Sequence, residues 1–121
     1  AASFLRRQML EEIKGVNGYF DERFFFLVED VDLAWRARAK GWRGVYLPEL
    51  VCYHQGDSSG TDKKLRQYLC FRNRFYAIMN NEGLHSYLGK VFPFLFYDLP
   101  RFLLLFFTNP HLRRHFKRCR R

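Results

Sequence analysis

The chain has 121 residues and a formal net charge of +9; 48% of its residues are hydrophobic and 19% are aromatic, including 14 Phe. This composition excludes a disordered tail, which lacks the apolar residues needed for a core, and fits one globular or membrane-apposed domain. Six of the nine net positive charges lie in residues 113–121, and residues 1–62 are close to neutral. A basic end on a neutral body predicts contact with phosphate groups, most of all those of lipid headgroups.

Two other classes of protein are disfavoured by the composition. The three cysteines are widely spaced and form no CxxC pair, which argues against a disulfide framework or a zinc site and favours a reducing compartment. No nucleic-acid partner is expected, because the positive charge is confined to one end and no recognisable binding motif accompanies it.

Both strands and helices are predicted in the first two thirds of the chain. Short apolar runs predict strands at residues 2–6, 43–47 and 50–53. Apolar residues at helical spacing predict helices at residues 7–14, 31–40 and 62–79. In the second helix, Asp30 is a suitable N-cap and Asp32 lies in the first turn, where the helix dipole favours an acid. Asp32 and Arg36 are one helical turn apart and are expected to form an ion pair.

From residue 84 onward the chain is strongly apolar but interrupted by charges and prolines. Its longest uninterrupted apolar run, Phe102–Phe107, is far shorter than the roughly 20 residues that cross a bilayer. Pro93 and Pro100 are expected to kink a helix here. We therefore predict amphipathic helices that lie in the membrane interface, followed by a basic tail. A docking surface for another part of the protein is the alternative.

The most informative stretch runs from Gly18 to His54. Three acids, Glu29, Asp30 and Asp32, stand where an aromatic run meets the predicted helix start. The interval from Asp30 to His54 fits one helix and one strand, so the chain can fold back and bring the imidazole beside the acids. Such groups are suited to act as a general base and a metal ligand. A simple helix cap at Asp30 and a buried, hydrogen-bonded His54 are the structural alternatives.

This stretch carries a resemblance to a known family. The segment GYFDERFFFLVEDVDLAWRARAKGWRGVYLPELVCYHQGDSS resembles the C-terminal part of the catalytic domain of family 2 glycosyltransferases, rhamnosyltransferase-like members above all. Further along, Arg72-Asn73-Arg74 resembles an Arg/Asn cluster that often opens the helix after that domain. The resemblance covers roughly residues 1–80.

The resemblance implies the GT-A fold, a Rossmann-like α/β sheet that binds a nucleotide-sugar. The expected fold class is therefore α/β, as a C-terminal fragment of a GT-A domain followed by amphipathic, membrane-interfacial helices. Residues 1–61 would form the acceptor side of the catalytic domain, residues 62–83 a helix packed on it, and residues 84–121 the interfacial helices and basic tail.

The resemblance also implies a reaction. Such an enzyme moves a sugar with inversion from a nucleotide-sugar donor to a glycan or lipid-linked acceptor in cell-surface polysaccharide synthesis. The acceptor hydroxyl must lose its proton as the new bond forms, so a carboxylate has to lie within hydrogen-bond reach of it. Asp30 is the implied base and Glu29 the second candidate. The enzyme is expected in the cytoplasm, peripheral on the inner face of the membrane and bound to anionic lipid through residues 84–121.

Other residues of the stretch are expected to contact substrate or metal. Asp21, Asp32, Arg36 and Trp42 are the candidate substrate-binding residues, although a turn at Asp21, the Asp32–Arg36 ion pair and a core position for Trp42 are the simpler interpretations. His54 is the candidate metal ligand, because a histidine in this position completes the metal shell in some family members. Imidazole is a suitable ligand for manganese-class ions.

The part of the family's domain that binds the nucleotide is not found in this sequence. The family holds a divalent metal, Mg or Mn, on the diphosphate through an earlier DxD motif. Asp30-Val31-Asp32 has these letters but belongs to the later acidic motif, and no Gly-rich phosphate loop is present. Because the chain also lacks an initiator Met, we expect it to be a piece of a longer enzyme and inactive alone. A non-catalytic module that binds the membrane surface is the alternative function.

Overall fold

The computed structural model describes residues 3–16, 18–54, 60–82, 85–86 and 89–119. The described part is helical and is built around one long central helix. Its main elements, in chain order, are α1 (Arg7–Ile13), a 3₁₀ turn (Glu22–Phe24), α2 (Glu29–Ala39), α3 (Lys63–Asn81), α4 (Val91–Thr108) and α5 (Pro110–Cys119).

Helix α3 lies at the centre and contacts elements on two sides. On one side it packs against α4 and α5 through an apolar cluster that consists of Tyr68, Leu69, Phe71, Leu105 and Leu112. On the other side it contacts α2 and the 3₁₀ turn, where buried Phe24 meets the Tyr76 ring edge-on at a centroid distance of 6.1 Å. A second, smaller cluster joins α1 to α2 and consists of Met9, Ile13, Leu33 and Ala37.

The predicted α/β fold is wrong. Within the described ranges there is no strand and no sheet, and the β-type pairing found there is an isolated bridge between Gly15 and Gly18. Residues 3–6, 43–47 and 50–53 are not assigned to any strand, and their larger apolar side chains are exposed. A strand needs a neighbouring strand to pair its backbone N–H and C=O groups, and these runs find none. Ala2, the first residue of one predicted strand, lies outside the described residues.

The three predicted helices are confirmed, with ends that differ by one or two residues. Helix α3 begins as its sequence suggests, because the Asp62 carboxylate caps it by accepting a hydrogen bond from the Leu65 N–H at 3.1 Å. The proposed division into residues 1–61, 62–83 and 84–121 stays a prediction.

Helix α4 continues through both prolines that were expected to kink it. A π-helical turn, Phe94–Asp98, lies inside it, and there the Leu99 N–H bonds back to the Phe94 carbonyl. This wider turn precedes Pro100, and such a turn relieves the clash that a proline ring makes with the preceding turn of an α-helix. By length and composition alone, α4 is apolar enough to cross a membrane, and 11% of it is buried. The sequence prediction, based on uninterrupted apolar runs, did not anticipate this length.

An ion pair fastens the middle of α4 to α3. The Arg74 guanidinium donates to the Asp98 carboxylate twice, from Nε to Oδ1 at 2.9 Å and from Nη2 to Oδ2 at 3.2 Å. The Asp98 side chain is only 1% exposed. Because a buried carboxylate is costly without a cationic partner, this pair sets where α4 meets α3.

Buried Asn109 joins α4 to α5. Its Nδ2 donates to the Lys64 carbonyl at the start of α3 at 2.7 Å, and its Oδ1 accepts from the His111 N–H at 3.0 Å. Pro110 takes the first position of α5, where a missing N–H costs nothing. The basic end, as far as Cys119, is therefore helical, while Arg120 and Arg121 lie outside the described residues.

The Arg74–Asp98 pair gives a stability prediction. We expect Arg74→Met to lower the free energy of unfolding by about 3 kcal/mol, because it leaves the buried Asp98 carboxylate without its guanidinium. Urea unfolding followed by circular dichroism measures the loss. Arg113→Met, at an exposed arginine of α5, is the control and should change stability by less than about 0.5 kcal/mol. Equal losses in the two variants would contradict a structural role for the pair.

Candidate functional site

The loop before α2 has an unusual backbone. Phe25, Leu27 and Val28 have positive φ angles of 61°, 70° and 73°. The Phe26 N–H bonds to the Phe24 carbonyl at 2.6 Å, which closes a tight γ-turn around Phe25. Each such residue costs about 1–3 kcal/mol, and a β-branched valine is among the least suited to it. Residues 25–28, called the acidic-site loop below, therefore need contacts that hold them in place.

The amide of Asn73 provides one part of this support. Its Nδ2 lies 2.9, 2.8 and 2.7 Å from the carbonyl oxygens of Phe24, Phe26 and Leu27. The Asn73 side chain comes from α3 and is fully buried. A single side chain thus contacts three backbone carbonyls, two of which, those of Phe26 and Leu27, belong to the irregular loop itself.

The guanidinium of Arg72 provides the second part. Its Nη2 donates to the carbonyls of Arg23 and Phe24 at 2.9 and 3.0 Å, and its Nε donates to the Asn73 Oδ1 at 2.9 Å. The guanidinium also lies over the Tyr76 ring at 5.2 Å from the centroid. Arg72 and Asn73 are therefore one hydrogen-bonded unit that holds the acidic-site loop against α3.

The acids follow the loop directly. Helix α2 begins at Glu29, and Val28 is its N-cap residue, so the prediction of Asp30 as the N-cap is wrong. Asp30 lies in the first turn with an exposed side chain, and its Oδ1 accepts from the Val31 N–H at 2.8 Å. The Glu29 Oε2 is buried and has no hydrogen-bond partner among the residues the structure describes.

Asp32 differs from Asp30 in every physical respect. Its carboxylate is 1% exposed and accepts from the Arg36 Nε at 2.9 Å and from the Asn81 Nδ2 at 2.9 Å. The Arg36 guanidinium also donates to the carbonyls of Ile13 and Tyr19 at 2.6 and 2.7 Å. The expected Asp32–Arg36 ion pair is confirmed, and it joins α1, α2 and α3. A substrate-binding role for these two residues stays a prediction.

Asp21 is engaged in a local network before the 3₁₀ turn. Its carboxylate accepts from the Arg23 Nε at 2.9 Å and from the Asn80 Nδ2 at 3.2 Å. Hydrogen bonds from Arg23 lower the pKa of Asp21 from its ordinary 3.8 to about 2. Asp21 is therefore charged at neutral pH, and the structure does not test its predicted contact with substrate.

Trp42 and His54 lie outside this network. The Trp42 Nε1 donates to the Glu12 Oε2 at 2.7 Å, and its ring packs on the α1–α2 cluster, which agrees with a core role. The His54 side chain is exposed on an extended segment, and among the described residues it forms no hydrogen bond or ion pair with Glu29, Asp30 or Asp32. The metal-ligand role of His54 and the substrate-binding role of Trp42 stay predictions.

A cavity lies beside the acidic pair. Val28 and Val31, on either side of Glu29-Asp30, line a hollow of about 320 Å³ together with Trp35, Arg74 and Lys90. Its walls are mostly apolar, and its charged groups are Arg74 of α3 and the ion-paired side chains of Glu82 and Lys90; Glu29 and Asp30 are not among the lining residues. A pocket with an apolar lining and a few polar groups is the usual form of a ligand site.

The described residues do not form a metal site by themselves. No group of three or more His, Cys, Asp or Glu side chains in the described ranges is arranged to hold a metal ion.

The Arg72–Asn73 contacts to the loop were not predicted from the sequence. One signal was present: Asn73 lies four residues from Leu69 and from Ala77, both on the buried side of α3. A polar residue at an apolar position of a helix indicates a buried hydrogen-bonding partner. The sequence does not indicate which carbonyls that partner supplies.

Part of the chain is related to the glycosyltransferases. Over 49 residues, 40% of its length, it is 47% identical to the N-acetylglucosaminyl-diphospho-decaprenol L-rhamnosyltransferase of Mycobacterium tuberculosis, in both strain CDC 1551 / Oshkosh and strain ATCC 25618 / H37Rv. The matched segment is 16% of those proteins, so the chain spans only a small part of these relatives. No family model matches the chain, and no solved structure matches it.

The Asp21–Arg23 pair predicts how stability depends on pH. The pKa of Asp21 is lower in the folded chain than in the unfolded chain. The charged Asp21 carboxylate therefore contributes to the free energy of unfolding above about pH 4, and this contribution is lost as the pH falls towards 2. We expect Asp21→Asn to cost about 1 kcal/mol at pH 7, a modest figure because Arg23 is largely exposed and its charge is screened. Urea unfolding should show the two proteins converging near pH 2. A constant difference at all pH values would contradict this assignment.

Proposed function

We propose that this chain is part of an inverting glycosyltransferase of family 2 that moves a sugar from a nucleotide-sugar donor to a lipid-linked or glycan acceptor in cell-surface polysaccharide synthesis. The partial identity to a rhamnosyltransferase supports the class of enzyme. The name of that relative, which acts on an N-acetylglucosaminyl-diphospho-decaprenol, supports a lipid-linked acceptor.

The observation that carries the proposal is the contrast between Asp30 and Asp32. A general base must reach the acceptor hydroxyl, and Asp30 is the exposed acid of the first turn of α2. Asp32 is buried, and each of its carboxylate oxygens already accepts a hydrogen bond, one from Arg36 and the other from Asn81. Val28 rather than Asp30 is the N-cap residue of α2, while the Asp30 carboxylate accepts the Val31 N–H within the first turn.

Glu29 is the second acid in the proposed site. Its buried, unpaired Oε2 is the kind of acceptor that needs a donor, and a substrate hydroxyl would supply one. Asp30 would take the proton from the acceptor hydroxyl as it attacks the anomeric carbon, and Glu29 would orient that hydroxyl. His54 would be one ligand of a divalent metal, Mg or Mn, whose remaining ligands would come from other residues or from the substrate.

Asp30→Asn tests the assignment of the base. In the whole enzyme that carries this chain, we expect the rate of transfer to fall by about a hundredfold to ten-thousandfold, because the amide cannot accept the proton. The assay uses a nucleotide-activated L-rhamnose and N-acetylglucosaminyl-diphospho-decaprenol, the acceptor named for the relative.

Asp62→Asn is the matched control. It makes the same chemical change at the exposed N-cap of α3, where asparagine caps as well as aspartate. Its rate should stay within about twofold of the original, since the substitution leaves the helix cap intact. Transfer that survives in Asp30→Asn would refute a catalytic role for this carboxylate.

The proposal includes binding to the inner face of the membrane, with the enzyme peripheral in the cytoplasm. Helix α4 exposes large apolar side chains, and the exposed residues of α5 include Arg113, Arg114 and Lys117. The buried Arg74–Asp98 pair fastens the middle of α4 to α3, which favours a helix lying in the interface over one that crosses the bilayer.

Vesicle binding tests this part. We expect the triple variant Phe92→Ser, Phe96→Ser and Phe107→Ser to weaken binding to phosphatidylcholine vesicles containing phosphatidylglycerol by about tenfold or more, because it removes exposed apolar area. Phe4→Ser is the control, because Phe4 is equally exposed and lies far from α4 in the sequence. Unchanged binding in the triple variant would contradict membrane association through α4. Vesicle binding together with full transfer by Asp30→Asn would instead favour a non-catalytic membrane module.

A further inference from the structure

We propose that Arg72 and Asn73 are positioning residues: they impose the left-handed backbone of the acidic-site loop and thereby fix the direction in which the Asp30 carboxylate leaves helix α2. This inference rests on the proposed function, because it concerns the same acid. It assigns a role to two side chains of α3 that need not touch substrate.

Without the side chains of Arg72 and Asn73, the acidic-site loop would leave its left-handed conformation. Three of its four residues adopt positive φ, and none of the four is glycine. Residues of these types return to the extended or right-handed helical region when nothing restrains them. Asn73 contacts three carbonyls and Arg72 two, and these polar restraints act together with the packing of Phe26 and Leu27 on the apolar cluster of α3.

An asparagine at position 73 is suited to binding the carbonyls of this loop. The Asn73 Nδ2 is a donor that faces carbonyl oxygens, whereas an aspartate would place negative oxygens against them. The amide is held with its nitrogen towards the loop, because the Arg72 Nε donates to Asn73 Oδ1 on the other side. The Arg72 guanidinium also lies over the rings of Tyr68 and Tyr76, at 5.6 and 5.2 Å from their centroids. Several contacts therefore hold the pair in place.

The acidic-site loop leads directly into the turn of α2 that carries Asp30. Leu27 and Val28 are the last two residues before Glu29-Asp30, and the Val28 carbonyl accepts the helical hydrogen bond from the Asp32 N–H at 3.0 Å. The left-handed conformation of Val28 is therefore the junction from which α2 starts. A change in φ at Val28 rotates the first turn of α2 and carries the Asp30 carboxylate with it. A displacement of about 1 Å at a reacting group is enough to lower a rate by about a hundredfold.

Asn73→Asp is the test, since it keeps the shape of the side chain and removes the donor. In the full chain, NMR couplings that report φ should shift at Phe25, Leu27 and Val28 towards values for negative φ. In the whole enzyme, with the donor and acceptor used for Asp30→Asn, kcat should fall by about tenfold or more while KM for both substrates stays within about twofold.

Asn109→Asp is the matched control, because Asn109 is also fully buried and also donates its Nδ2 to a backbone carbonyl. It should lower stability without changing the loop couplings or kcat. Arg72→Lys is the milder variant if Asn73→Asp does not fold: it keeps the charge but loses the forked contacts, and a smaller shift of the same couplings with a smaller fall in kcat is expected.

Couplings that stay unchanged in both variants, or a relaxed loop with unchanged kcat, would overturn the inference. So would a fall in kcat equal to that of Asn109→Asp, which would reflect stability alone. Failure of the proposed function is separate, because it shows as full transfer by Asp30→Asn and needs no variant of α3.

Discussion

Three consecutive residues of α3, Arg72, Asn73 and Arg74, hold the described part of the molecule together. Asn73 binds carbonyls of the acidic-site loop, Arg72 binds carbonyls of the 3₁₀ turn just before it, and Arg74 binds the buried Asp98 carboxylate of α4. The same short segment of one helix therefore sets the position of the acid-bearing helix on one side and of the apolar helix on the other. Because α3 is a regular helix with its own cap, it transmits a fixed spacing between the two.

The three acids at the start of α2, Glu29, Asp30 and Asp32, differ in how deeply they are buried. Asp32 belongs to a network that ties α1, α2 and α3 together through Arg36 and Asn81, and its charge is matched within the chain. Asp30, two residues earlier, is exposed beside a residue that lines a cavity. The left-handed conformation of Val28 sets the direction in which the chain enters α2. The placement of the acids therefore depends on the strained backbone of the loop.

The exposed apolar surface is the second notable property. Helix α4 carries the charged pair that joins it to α3 on one side and leaves large side chains open on the other. Residues 43–54, which form neither helix nor strand, are exposed as well, and their apolar side chains led to the prediction of a sheet. Apolar content predicts that a segment will be buried against something, but not against what, and a strand in particular exists only where a second strand offers hydrogen bonds.

The sequence by itself determined the helices α1, α2 and α3, the Asp32–Arg36 ion pair and the acidic motif, because helical periodicity, capping residues and pairs one turn apart depend on neighbours within a few positions. Only the tertiary structure decided that the predicted sheet does not form, that Val28 rather than Asp30 is the N-cap residue of α2, and that α4 runs through two prolines. It also decided which carbonyls Asn73 binds. These features depend on contacts between residues about 25 to 50 positions apart, such as Arg74 with Asp98 and Asn73 with Phe24, and local sequence patterns carry no information about such distances.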